Sequence, residues 1–109
     1  MKWLGMPTWK QLYRLASNES KYLPSRGWFR SAISQRPVDS AGMPLPWLTY
    51  PFVDFIRPRL RKDMVVIEFG AGQSTLFWAR HVERVFSVED NPAWFSELKP
   101  QLPGNAQVL

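Results

Sequence analysis

Val65-Val66-Ile67-Glu68-Phe69-Gly70-Ala71-Gly72-Gln73-Ser74-Thr75 decides how this chain is read. An apolar β-branched run stops at an acidic residue, turns through two alternating glycines and enters a helical pattern. A second run, Ser87-Val88-Glu89-Asp90-Asn91-Pro92, ends in two further carboxylates. Two such strand ends side by side form the wall and floor of a ligand crevice in a parallel α/β sheet.

Working outward, Met64 to Phe69 has no polar alternation before Glu68, which predicts a strand buried on both faces. Ser74 or Thr75 is placed to start a helix through Leu76, Phe77 and Ala79, and Val85, Phe86 and Val88 predict a second strand. Asn91 and Pro92 read as a helix cap and first-turn pair ahead of an apolar face of Trp94, Phe95 and Leu98, with Pro100 closing that helix. Pro103, Gly104 and Asn105 turn the chain into a third strand at Ala106. This strand-helix alternation describes one half of a doubly wound α/β fold, a Rossmann-like parallel sheet of three strands. No internal repeat supplies the other half. The expectation is a piece of a longer, truncated chain, with completion by another copy as the alternative.

Upstream, Thr8-Trp9-Lys10-Gln11 has capping-box form, and Trp9, Leu12, Tyr13 and Ala16 recur at helical spacing, predicting a short amphipathic helix that ends near Asn18. Trp28, Phe29, Ala32 and Ile33 predict a second short helix after Ser25. Both are read as packing onto the rest of the domain or a second subunit, in preference to docking on a membrane surface. Residues 36–51 are rich in breakers, with Pro37, Gly42, Pro44, Pro46 and Pro51, and read as an ordered loop anchored by Val38, Leu45 and Trp47. Thr49 is placed to cap a helix with Pro51 in its first turn and an apolar stripe of Phe52, Phe55, Ile56 and Leu60, interrupted by Pro58. The division expected is a helical and loop N-terminal extension over 1–45 and the incomplete sheet domain over 46–109.

Composition narrows the classes. The 109 residues are 45% hydrophobic and 15% aromatic, which fits a folded chain and excludes a disordered tail. With no cysteine, disulfides and thiolate metal sites are excluded, and a cytoplasmic location is expected. The single His81 has no partner histidine and reads as a surface or helix-end residue, so no metal site is expected. Residues 1–7 are broken by Gly5 and Pro7 and lack a signal-peptide core. The net charge of +5 is uneven: residues 1–62 hold eleven Lys/Arg against Glu19, Asp39 and Asp54, and residues 63–109 hold three against six acids. A basic front half suits nucleic acid or anionic lipid, but its charges are scattered, which reads as solvated surface without a nucleic-acid or membrane signal.

The acidic residues choose among ligands for the glycine turn. Gly70 and Gly72 allow positive φ and close approach of a ligand to the backbone. Glu89 lies 19 positions after Gly70, near the offset at which an acid bonds ribose hydroxyls. The alternative, that Glu89 or Asp90 caps the following helix, is weakened because Asn91 already fills that position. Glu68 would repel a dinucleotide pyrophosphate, and the third glycine of G-x-G-x-x-G is replaced by Thr75, so an NAD-linked oxidoreductase is disfavoured. S-adenosylmethionine carries a sulfonium and an ammonium that a carboxylate attracts directly or through water. The competing role for Glu68 is an ion pair with Arg57 or Arg59.

Glu68-x-Gly70-x-Gly72-x-Ser74 followed by Val88-Glu89-x-x-Pro92 resembles the glycine motif and acidic second-strand motif of class I S-adenosylmethionine-dependent methyltransferases, with Ser74 in place of the usual third glycine. With Gly42-x-Pro44-x-Pro46-Trp47-x-x-Tyr50 upstream, it is similar to a bacterial subgroup related to the FkbM type. The resemblance covers about residues 42–109. It implies that Glu68, Gly70 and Gly72 line the methionine part of S-adenosyl-L-methionine, with Ala71 and Ser74 also among the cofactor-binding residues, that Glu89 binds ribose, and that Asp90 and Asn91 lie near the adenosine. It implies a methyltransferase acting on a small molecule or glycan, of which this chain is the cofactor-binding N-terminal portion, inactive alone. No catalytic base is identifiable; Trp47 and Tyr50 are candidates for the cofactor edge, with aromatic packing the alternative. A non-catalytic module that self-associates through an open sheet edge is the second expectation.

Overall fold

A computed structural model describes residues 8–16 and 21–109 of this chain. The expected end of the first helix near Asn18 and the reading of residues 1–7 lie outside the described residues. Among the described residues the structure is α/β: four α-helices precede a three-stranded parallel sheet of order β1-β2-β3, whose strands alternate with two further α-helices.

The first helix, α1 (Trp9–Ala16), starts at the expected capping box, with Thr8 N donating to Gln11 Oε1 at 2.7 Å and Gln11 N to Thr8 Oγ1 at 3.4 Å. Trp9 and Tyr13 are exposed, so the expected packing of these two rings onto the domain is not found. A helix absent from the sequence reading, α2 (Tyr22–Arg26), is followed at once by α3 (Trp28–Ser34). Gly27 makes that junction possible: its φ of 81° is left-handed, and a Cβ there would stand 2.3 Å from the Asp39 carbonyl carbon. In α3, Trp28 and Phe29 are half-buried and meet edge to face, whereas Ile33 is exposed.

The loop after α3 is ordered as expected. Val38 pairs with Pro44 in an antiparallel bridge, and Ser31 Oγ accepts from Val38 N at 2.9 Å. Val38 and Leu45 are the buried anchors; Trp47 is 52% exposed and is not one. Thr49 caps α4 (Tyr50–Ile56) through Phe52 N, and Pro58 falls in the 3-10 turn Arg57–Arg59 that ends it. The buried face of α4 is not the expected stripe. Val53 is fully buried with Leu45 and Phe77, while Phe52 and Phe55 are exposed. The Arg59 guanidinium lies 3.8 Å from the Phe55 ring centroid, a cation–π contact at the exposed ring.

The sheet comprises β1 (Val65–Phe69), β2 (Arg84–Val88) and β3 (Ala106–Val108), with Ile67 beside Phe86 and Phe86 beside Gln107. Between them run α5 (Gln73–His81) and α6 (Pro92–Leu98). α5 begins at Gln73, one residue before the expected start. Ala79, Val82 and Val85 form a core cluster with Val66 and Ala106 packed against it, so α5 covers the face of the sheet that carries Val66 and Ala106. α6 is capped by Asn91 and buries Leu98, as expected. His81 sits at the end of α5, with Nδ1 2.8 Å from the Phe77 carbonyl oxygen.

The expectation that β1 is buried on both faces is corrected. Ile67 is 71% exposed and Phe69 90%, with Val65 and Val88 exposed on the same face. Two consecutive right-handed crossovers that step the same way across a sheet put both helices on one side. That side is covered, and the other is bare.

Candidate functional site

The carboxyl ends of β1 and β2 carry Glu68, the turn Gly70-Ala71-Gly72 and Glu89, all brought together as the sequence pattern requires. Register does this: Phe69 pairs with Val88, and Gly70 N donates to the Val88 carbonyl at 2.7 Å. Glu89 is therefore placed directly across from the turn.

The two glycines do different work. Gly70 has φ 85°, and a Cβ built on it would meet nothing within 4 Å, so the turn is open to solvent at this point. Gly72 is extended at φ 169° and buried, with the nearest Trp94 ring atom 3.5 Å from where its Cβ would be. Only Gly70 needs a left-handed conformation.

Glu89 is the acceptor of the site. Its Oε2 takes the Ala71 N–H at 2.9 Å and its Oε1 takes the Asn91 N–H at 2.9 Å. These backbone donors, Ala71 first and Asn91 second, hold its carboxyl below the ordinary carboxylate value, against a smaller opposing effect of burial. Each oxygen still has a lone pair for an incoming donor. Asp90 beside it is exposed, and Asn91 Oδ1 is committed to capping α6, accepting from Ala93 N and Trp94 N at 3.1 Å each.

Glu68 lies on the α5 side of the sheet, engaged with its own chain. Its Oε1 accepts from Thr75 Oγ1 and from Ser87 Oγ, the latter at 2.6 Å, and its Oε2 accepts from Trp78 Nε1 at 3.2 Å. The competing ion pair with Arg57 or Arg59 is absent: Arg57 stacks 5.6 Å over Phe77, and Arg59 bonds the Phe55 carbonyl. Thr75 and Ser87 are fully buried, and Thr75 Oγ1 also accepts the Gly72 N–H at 3.0 Å. One hydroxyl thus ties β1, the glycine turn and the first turn of α5 together. Ser74, the neighbour singled out from sequence, is half-buried in that same turn.

Three residues of the site were missed as such. Trp94 Nε1 donates to the Ala71 carbonyl at 2.5 Å, and Trp78 reaches Glu68. The sequence reading takes Trp94 as core and does not single out Trp78; the available signal is an indole in each helix that follows a strand end. Ser87, two residues before Glu89, could have been noted as a polar residue within an otherwise apolar strand. Trp47 and Tyr50 lie elsewhere, lining a cavity of about 190 Å³ with Trp28, Leu45 and Pro46, none of whose lining residues belongs to the turn. Burial raises the Tyr50 phenol, against the opposing pull of the Arg26 guanidinium 5.0 Å from its ring. No family model matches the chain, and no curated protein matches it.

Proposed function

We propose that the glycine turn and Glu89 bind the nucleoside of S-adenosyl-L-methionine, and that the chain is the cofactor-binding portion of a methyltransferase. On this reading the three strands are the first half of a Rossmann-like sheet and the preceding helices its N-terminal extension. The carrying observation is Glu89 at the end of β2, its carboxyl held low by the Ala71 and Asn91 amides beside the open Gly70. A negatively charged acceptor with two oxygens suits a vicinal diol and rejects a ribose phosphate.

The donor set fits the cofactor in a specific way. Glu89 would accept from the ribose hydroxyls, and Gly70 would let the ligand lie against bare backbone. Asp90, exposed at the same loop, would border the adenosine. Glu68 would brace the turn through Thr75 and Ser87 without contacting the ligand, which refines the role that the resemblance implied. When bound, the cofactor supplies a methyl group on a sulfonium, activated for displacement. The chain's part is to bind and orient, since positioning carries most of the advantage in such a transfer. A small molecule or glycan as acceptor rests on the resemblance alone, and a cytoplasmic setting rests on the lack of cysteine. Among the described residues no helix is long and apolar enough to cross a membrane.

Calorimetric titration with S-adenosylhomocysteine and with NADH tests the reading. S-adenosylhomocysteine is expected to bind, and Glu89→Gln to weaken it roughly 10- to 100-fold, the usual loss for a charge-assisted hydrogen bond. Binding of NADH alone, or of neither ligand, overturns it. The second reading, a non-catalytic interaction module, is favoured by the bare face of β1.

A further inference from the structure

Between α3, the loop after it and the start of α4 lies the cavity of about 190 Å³ that Trp28, Trp47 and Tyr50 help to line. All its walls come from residues 28–50, so it is neither a sheet face nor a sheet edge. The lining grades from inside to outside: Leu45 and Pro46 are buried, Trp28 and Tyr50 half-buried, Trp47 and Leu48 exposed. The cavity therefore has an apolar floor, aromatic sides and a mouth at Trp47 and Leu48.

Its walls are held by bonds to the backbone. Leu45 N donates to the Pro37 carbonyl at 2.9 Å, and Leu48 N to the Pro46 carbonyl at 2.8 Å. Ser31 Oγ accepts from Val38 N at 2.9 Å and donates to the Gly27 carbonyl at 3.0 Å, which ties the loop to α3. Pro37 and Pro46 are rigid as well, so the loop cannot readily collapse into the space. A guest finds the cavity already formed and pays little to order it.

We propose that this cavity binds one neutral aromatic ring, no larger than a substituted benzene. Volume sets the size, since an apolar cavity of ~150 Å³ takes up a single benzene. The sides set the shape, because aromatic rings meet one another edge to face or offset. Charge is excluded by the lining, in which no residue is ionic. Arg26, 5.0 Å from the Tyr50 ring centroid, lies outside the lining and is paired with Asp54 at 2.6 Å. No lining residue belongs to the glycine turn, so the inference does not depend on the nucleoside reading.

Titration of the full chain with p-cresol, followed by nuclear magnetic resonance of the tryptophan indole N–H signals, tests this. The Trp28 and Trp47 signals are expected to shift saturably, with a Kd of about 1 mM or tighter, the range open to so small a ligand. The Trp94 signal, at the glycine turn, is expected to stay in place. Benzoate, a ring of similar size carrying a charge, is expected to bind at least roughly tenfold more weakly. Ala32→Leu puts extra carbons into the lining and is expected to abolish binding. Trp47→Ala removes one aromatic contact at an exposed position and is expected to weaken binding roughly tenfold; it decides the matter if Ala32→Leu does not fold. No saturable shift by ~10 mM p-cresol overturns the proposal, whether the cavity is too shallow or already filled by other parts of a longer chain. Equal shifts at Trp94, equal affinity for benzoate, or binding that neither substitution weakens overturns it too.

Discussion

Ala71 is gripped through both of its peptide groups: its N–H donates to Glu89 and its carbonyl accepts from Trp94. The same economy holds at Thr75, whose one hydroxyl accepts from Gly72 and donates to Glu68. Thr75→Val keeps the shape and removes the hydroxyl, leaving the buried Gly72 N–H without an acceptor. The expected loss is about 1–3 kcal/mol, read as a lower urea midpoint with an unchanged slope. Glu89 carries a pH signature. Its folded value lies below the ordinary 4.5, so the stability it contributes is complete above that pH and is lost as pH falls through the lower folded value. Glu89→Gln is therefore expected to lower stability at pH 7, where that contribution is complete, and to flatten the acid limb of the stability curve below pH 4.5. The identities of Glu68, Gly70 and Glu89 were legible in the sequence because strand ends and glycines leave short-range signals. The bonds of Glu68 were not, because Ser87 reaches it only once β2 is in register.

At the scale of elements, short helices here depend on their ends. α6 spans seven residues from Pro92 to Leu98 and depends on Asn91, whose side chain takes two otherwise unpaired amides. Asn91→Ala is expected to cost about 1 kcal/mol by thermal or urea unfolding, and to loosen Trp94 from Ala71. A drop in the ordering of Trp94, seen as red-shifted emission, checks the second effect. Capping signals at Thr8, Thr49 and Asn91 were all readable, since a cap is a matter of two or three consecutive residues. The buried side of α4 was not. A helix followed by a 3-10 turn at Pro58 is oriented by its neighbours, and Val53 takes the core position ahead of Phe52 and Phe55 by facing Leu45 and Phe77. α2 was missed because Pro24 sits within its five residues and masks any helical period.

The whole molecule is flat, measuring 42 × 32 × 19 Å with a radius of gyration of 15.3 Å, against ~13 Å for a compact chain of about this length. Flatness follows from topology, since one layer of helices covers one face of the sheet. The surface ion pairs Arg26–Asp54 and Arg36–Glu97, at 2.6 and 2.8 Å, tie the preceding helices and loop to α4 and α6. Exposed pairs of this kind add little stability. The buried cluster Leu45–Val53–Phe77 is the stronger link between the first part of the chain and α5.

The sequence alone determined the alternation of strands and helices, the glycine turn between β1 and α5, and the carboxylate at the end of β2. These are written in runs of a few residues, where backbone preference and capping act locally. Tertiary structure decided which face of β1 stays bare, which side of α4 is buried, and that Glu68 turns toward Thr75, Ser87 and Trp78. The first depends on the hand of a crossover, the second on packing against Leu45 and Phe77, and the third on the register of a neighbouring strand, and none of these is encoded in any single stretch of the chain.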